Sequence, residues 1–190
     1  MKSLPPKEQF LITLFLIAIA TGNRSSELAS IDRRTISFAP GFKEATLAVV
    51  PGFLYKNQSM TRTPPPIVIP ALGDGSILCP VEALRLYLDV TKRSNSNKLF
   101  LNPSSGAPLN AGTLSSWLCT SIKFLLPDVN CHGHDTRKVA FSMAWARGIS
   151  AEDIVKKGFW SNVNVFVKRY LVVNPESIDN IPCIVAGHKA

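Results

Sequence analysis

Gly133-His134-Asp135-Thr136-Arg137 decides the reading of this chain, because His134 and Arg137 lie three apart at the start of a segment with helical character from about His134 to Arg147. Residues at that spacing share one helix face and can converge on a single ligand. Arginine suits an anionic ligand: its planar fork pairs with two oxygens and keeps its charge at neutral pH. Two distant stretches offer partners. Upstream, Thr21-Gly22-Asn23-Arg24-Ser25-Ser26-Glu27-Leu28 carries a second arginine just after an apolar run, with Glu27 three residues on to hold it. Downstream, Trp160 precedes Lys168-Arg169-Tyr170, ten positions ahead of the tyrosine. Each has a plain structural alternative. Arg24–Glu27 reads as a surface ion pair, and His134 with Arg137 as a solvated pair. Tyr170, with Phe166 and Val167 one turn back, reads as a half-buried core tyrosine, and Trp160 as a core aromatic.

Working outward, Pro5-Pro6 precede a helix that starts near Lys7, and the apolar run from Phe10 to Ala20 predicts a central helix buried on most sides. A short helix is expected over Ser25 to Ser30 with Ser25 or Ser26 near its cap, then β-prone Thr35 to Phe38. Ala45 to Val50 and Ile67 to Ile69 read as a hairpin. Pro64-Pro65-Pro66 confine its return strand to an edge or to a start at Ile67. Pro80 fits the first turn of a helix reaching about Thr91, Leu99 to Leu101 a short strand, and Thr113 to Leu126 a helix closed by Pro127. After the His134 helix come Ser150 to Lys157, capped by Ser150, and Asn162 to Val173, with Gly148 and Gly158 as stops. The fold class is mainly α with a small antiparallel β-sheet (α+β), in one domain.

The bulk properties agree with a packed domain. The 190 residues are 46% hydrophobic and 18% charged, enough for a core. Lys and Arg outnumber Asp and Glu by 21 to 13, a net charge of +8 that favours polyanions. Cys79, Cys119, Cys131 and Cys183 form no CxxC pair, so reduced thiols in an intracellular protein are expected. Cys131, His132 and His134 lack a fourth partner at zinc-like spacing, and no metal or cofactor is expected. The apolar run near the N-terminus is too short to span a membrane.

A tyrosine hydroxyl, two arginines and a histidine suffice to attack a phosphodiester without a metal: the arginines neutralise the phosphorane and the tyrosine supplies the nucleophile. Taken together, the Arg24 motif, His134-Asp-Thr-Arg137 and Gly158-Phe-Trp160-Ser-Asn-Val-Asn164 leading to Tyr170 resemble the catalytic domain of tyrosine recombinases, over nearly the whole chain. Pro51 to Asn57, Leu78 to Leu84 and Leu99-Phe100 look most like the recombinases of DIRS-type eukaryotic transposable elements.

The resemblance implies a site-specific recombinase or integrase that works on double-stranded DNA through a 3′-phosphotyrosyl intermediate, without metal or ATP. Tyr170 is then the nucleophile, Arg24 and Arg137 bind non-bridging oxygens, and His134 assists proton transfer. Trp160 stands where other members carry a second histidine. Lys56 is the implied general acid, with Lys43 and Arg62 as rivals nearby, and Lys56, Arg62 and Lys138 are implied DNA contacts. The family also implies tetramers on DNA that exchange a C-terminal segment, here 171–190, and a nuclear site if the source is eukaryotic. An N-terminal DNA-clamping domain is not among these residues. One departure concerns the ten-residue Trp160–Tyr170 interval, where many members show nine; on a helix the extra residue turns the phenol by about 100°. The competing readings are a helix-turn-helix DNA binder over Met143 to Trp160 and a domesticated recombinase that binds DNA without cutting it.

Overall fold

In the computed structural model, residues 4–59, 64, 66–73, 76, 78–125, 127–128 and 130–171 are described. Among them the order is α1 (Pro6–Thr21), α2 (Ser25–Ala29), β1 (Ile31–Phe38), β2 (Glu44–Val49), β3 (Ile67–Pro70), α3 (Pro80–Val90), α4 (Ala111–Leu125), α5 (Asp135–Ala146), α6 (Ala151–Lys157) and α7 (Val163–Arg169). This is the expected mainly helical chain with a small antiparallel sheet.

Helix α1 is central, packing on α3, α4, α5 and β3. Its apolar residues run almost all round, yet one stripe goes deepest: Phe10, Leu14, Ile17 and Ala18 are fully buried while Ile12 on another face is exposed. That stripe has the i, i+4 spacing of one helix face. Two polar residues on it are satisfied inside. The Gln9 amide donates to the Ala83 carbonyl at 3.1 Å, and the Thr13 hydroxyl is 2.8 Å from the Gln9 carbonyl. Gly22 then ends α1 in the left-handed region at φ 62°, its N–H bonded to the Ala18 carbonyl.

The sheet has the order β1-β2-β3, so β3 is an edge strand, as its flanking prolines require. Ala45 pairs with Ile69 and Leu47 with Ile67, which turns all four side chains into the core. The β1–β2 register slips between Asp32 and Ser37, where the Ala48 N–H donates to the Thr35 hydroxyl instead of a backbone carbonyl.

Two expectations are corrected and one is refined. Leu99 to Leu101 is no continuous strand: its backbone pairs only locally, at the bridges Asp32–Lys98 and Leu101–Pro108 and through the Leu99 N–H on the Ile31 carbonyl and the Leu109 N–H on the Phe100 carbonyl, while all three side chains are buried. Ser25 stands beside the N-cap of α2, as expected; the N-cap itself is Arg24, whose N–H donates to the Glu27 carboxylate. The last helix stops at Arg169 and not Val173, since the Leu171 N–H turns back to the Phe166 carbonyl.

The buried apolar residues fall into two groups. The larger unites α1–α4 and the sheet; the smaller consists of Phe141, Ile154, Trp160 and Phe166 on α5–α7. The motif residues lie where the two meet.

Candidate active site

Arg137 is the pivot of the site. One turn into α5 and 2% exposed, it donates from Nη1 to the Gly22 carbonyl and from Nη2 to the Gly158 carbonyl. It thereby ties the end of α1 to the end of α6, which only a forked side chain can do. Both glycines are required by contact. A Cβ on Gly22 would lie 2.4 Å from Phe141, and one on Gly158 2.3 Å from the Trp160 ring. The guanidinium also lies over the Trp160 ring at 4.5 Å and the Tyr170 ring at 5.7 Å.

Arg24 is buried beside it, which contradicts its reading as a surface pair. Its Nη1 meets Glu27 Oε1 at 2.5 Å, while Glu27 Oε2 accepts from the Arg24 N–H at 2.8 Å and lies 3.8 Å from Arg137 Nη1. Glu27, 3% exposed, is thus one buried carboxylate between two buried guanidiniums. Burial, then the charge of Arg24, brings the pKa of Arg137 down to about 10, so it remains charged at neutral pH.

Tyr170 faces the same place. The centroid of its ring is 4.5 Å from that of Trp160, itself packed between Phe141 and Phe166. Because α7 has ended at Arg169, Tyr170 occupies the C-cap with φ −123°, outside the helix. Of the three tyrosines, only this one has a phenol shifted toward ionisation. Burial acts against the shift, but a hydrogen bond with Trp160 and the charges of Arg24 and Arg137 outweigh it and hold the pKa below the ordinary tyrosine value. Tyr55 is pushed up to about 12 by burial and by Glu27, and burial also raises Tyr87, whose oxygen accepts the Leu101 N–H in the core.

His134 is the N-cap of α5, exposed, and near enough to Arg24 and Arg137 for their charges to act on its imidazole. Desolvation, then the charges of Arg24, Arg137 and Lys138, lowers its pKa, so the imidazole is neutral at pH 7. Lys138 Nζ pairs with Asp135 at 3.1 Å on the same turn. Lys56 is exposed on the loop after β2, beside Tyr55 and Asn57, both of which contact Phe159. Arg62 lies outside the described residues, as do Cys183 and the segment 172–190.

Several participants had no readable signal. The carbonyls of Gly22 and Gly158 are backbone groups; the glycines were visible only as helix stops. Asn57, and Lys157, whose pKa is lowered by desolvation and which lines a pocket with Glu27, Arg137 and Gly158, have no motif spacing.

The fold is that of the tyrosine-recombinase catalytic domain, mainly helical with a three-stranded antiparallel sheet. The XerA recombinase matches with a TM-score of 0.65 at 12% identity, over 97% of this chain and 64% of its own. The XerH site-specific recombinase, in a post-cleavage complex with a palindromic difH substrate, matches with a TM-score of 0.69 at 13% identity, over 98% and 48%. The Tn1549 transposon integrase, in complex with transposon right-end DNA, matches with a TM-score of 0.53 at 14% identity, over 98% and 67%. The chain therefore spans about half to two thirds of these proteins. No protein-family profile and no curated protein matches it.

Proposed function

We propose that this chain is the catalytic part of a site-specific DNA recombinase or integrase that cuts and rejoins strands through a 3′-phosphotyrosyl bond. The observation that carries the reading is the convergence of Arg24, Arg137, His134 and the acidified phenol of Tyr170 on one cleft, brought together from both ends of the chain.

Tyr170 Oη attacks the scissile phosphorus while the P–O5′ bond breaks. Neutral His134 accepts the phenolic proton and Lys56 Nζ donates a proton to the departing O5′. Arg24 and Arg137 hold the non-bridging oxygens, where donors aimed at developing charge are worth about 10²–10³ in rate each. Trp160 holds the phenol. A second 5′-hydroxyl reverses the step and frees the tyrosine, so the bond energy is kept in the phosphotyrosine and no ATP enters. Lys56, Arg62 and Lys138 contact phosphates of duplex DNA; four protomers assemble on it and exchange the segment 171–190. The segments Pro51 to Asn57 and Leu78 to Leu84 favour a DIRS-type transposable element as source, and with it a nuclear site of action.

The test is a nicked suicide duplex at low salt, where phosphate contacts are strongest. The wild type should give a denaturation-resistant adduct, and Tyr170→Phe and Arg137→Ala should give none. A mobility shift without a covalent band from the wild type would support the non-catalytic DNA-binding reading instead.

A further inference from the structure

The loop after β2 carries Lys56 on a tight turn. The Gln58 N–H donates to the Tyr55 carbonyl at 3.0 Å, and the Gln58 side chain returns the favour by accepting the Tyr55 N–H at 3.2 Å. Tyr55 to Gln58 is thus a turn closed on both sides, with Lys56 and Asn57 at its centre. Residues at the centre of so short a turn move together, so whatever fixes Asn57 fixes the backbone of Lys56.

Asn57 is fixed from far away. Its Nδ2 donates to the Phe159 carbonyl at 2.9 Å, and the Tyr55 ring packs on the Phe159 ring at 6.1 Å. Phe159 has φ 53°, a left-handed conformation that non-glycine residues rarely adopt and that surrounding contacts must sustain. The carbonyl just before it, that of Gly158, accepts from Arg137. Two consecutive carbonyls therefore hold the Arg137 guanidinium on one side and the Lys56 turn on the other. Asn57 is half-buried, and an amide N–H is what a carbonyl needs; a carboxylate of the same shape would set acceptor against acceptor.

We propose that Asn57 is a positioning residue, latching the Lys56 turn onto the α6–α7 corner so that the ammonium stands in register with the phosphate held by Arg137. This rests on the strand-transfer reading above, and it assigns to Asn57 an effect confined to protonation of the leaving group.

A 5′-bridging phosphorothiolate tests it, because a thiolate leaves without a proton. Cleavage of nicked duplexes with an ordinary or a phosphorothiolate bridge is measured in single turnover for wild type, Asn57→Ala, the isosteric Asn57→Asp, Lys56→Ala and Arg137→Lys. Both Asn57 variants should lose roughly 10²-fold on the ordinary bridge, the scale for a misplaced group. They should return to within about threefold of wild type on the phosphorothiolate, as Lys56→Ala does, while Arg137→Lys stays impaired on both. A full loss on both substrates with an unchanged melting temperature, or no loss on either, overturns the role of Asn57 and leaves strand transfer standing. A wild type that cleaves neither substrate overturns both.

Discussion

Replacing Glu27 with glutamine removes the one anion between Arg24 and Arg137. Both oxygens of Glu27 accept, Oε1 from Arg24 Nη1 at 2.5 Å and Oε2 from the Arg24 N–H at 2.8 Å, and Oε2 also faces Arg137 at 3.8 Å. Glutamine keeps the shape but offers a single acceptor, so one buried donor loses its partner and two guanidiniums are left without compensation. With the side chains of Glu27 and Arg137 only 4% and 2% exposed, solvent screens little of this. Breaking a buried pair from one side costs about 3–5 kcal/mol. At about 2–4 °C per kcal/mol for a chain of this size, the melting temperature should fall by roughly 6–20 °C. Differential scanning calorimetry at low ionic strength measures it. Duplex DNA should recover part of the fall, because a phosphate in the cleft restores an anion to the same two cations. A variant that melts within a degree of wild type would refute the view that Glu27 is what allows both arginines to be buried side by side.

Gly22→Ala should destabilise by about 2–4 kcal/mol in chemical denaturation, from left-handed strain and from the 2.4 Å approach to Phe141. Arg137→Lys should lower the rate of adduct formation about 10²–10³-fold in a gel assay, since one ammonium cannot reach the carbonyls of both Gly22 and Gly158. His134 has a folded pKa below its ordinary value of 6.5. Its share of stability is therefore complete above 6.5 and lost as pH falls through the lower folded value, where the folded chain resists a proton that the unfolded chain binds. Thermal melts from pH 7 to pH 4.5 should decline less steeply for His134→Gln than for wild type.

The helices were legible where sequence and solvent agree: Ser150 accepts the Asp153 N–H at the start of α6, and the α1 stripe shows in its residue types. What escaped was decided by tertiary contact. Leu99 to Leu101 has strand-like residues, yet its side chains fill the core on their own terms. The extra residue between Trp160 and Tyr170 counts as a rotation only if one helix spans the interval, and α7 covers only Val163 to Arg169, closed by the Leu171 N–H on the Phe166 carbonyl. Arg24, His134, Arg137 and Tyr170 were legible as a set because their chemistry is scarce, and the structure brings these four separated groups near one another. Their supports, two glycine carbonyls and an asparagine in a loop, are common groups whose meaning comes from where the chain delivers them.

The small apolar group on α5–α7 has only four buried side chains, and a single cation grips carbonyls on either bank of the seam that separates it from the rest. So modest a patch opens at lower cost than the whole chain. The α5–α7 region, with Tyr170 just beyond it, should thus be the first of these packed elements to exchange its amide protons with water. In the proposed strand transfer, a DNA backbone seated against Arg137 would close that region, so that its order and its readiness for chemistry would rise and fall together.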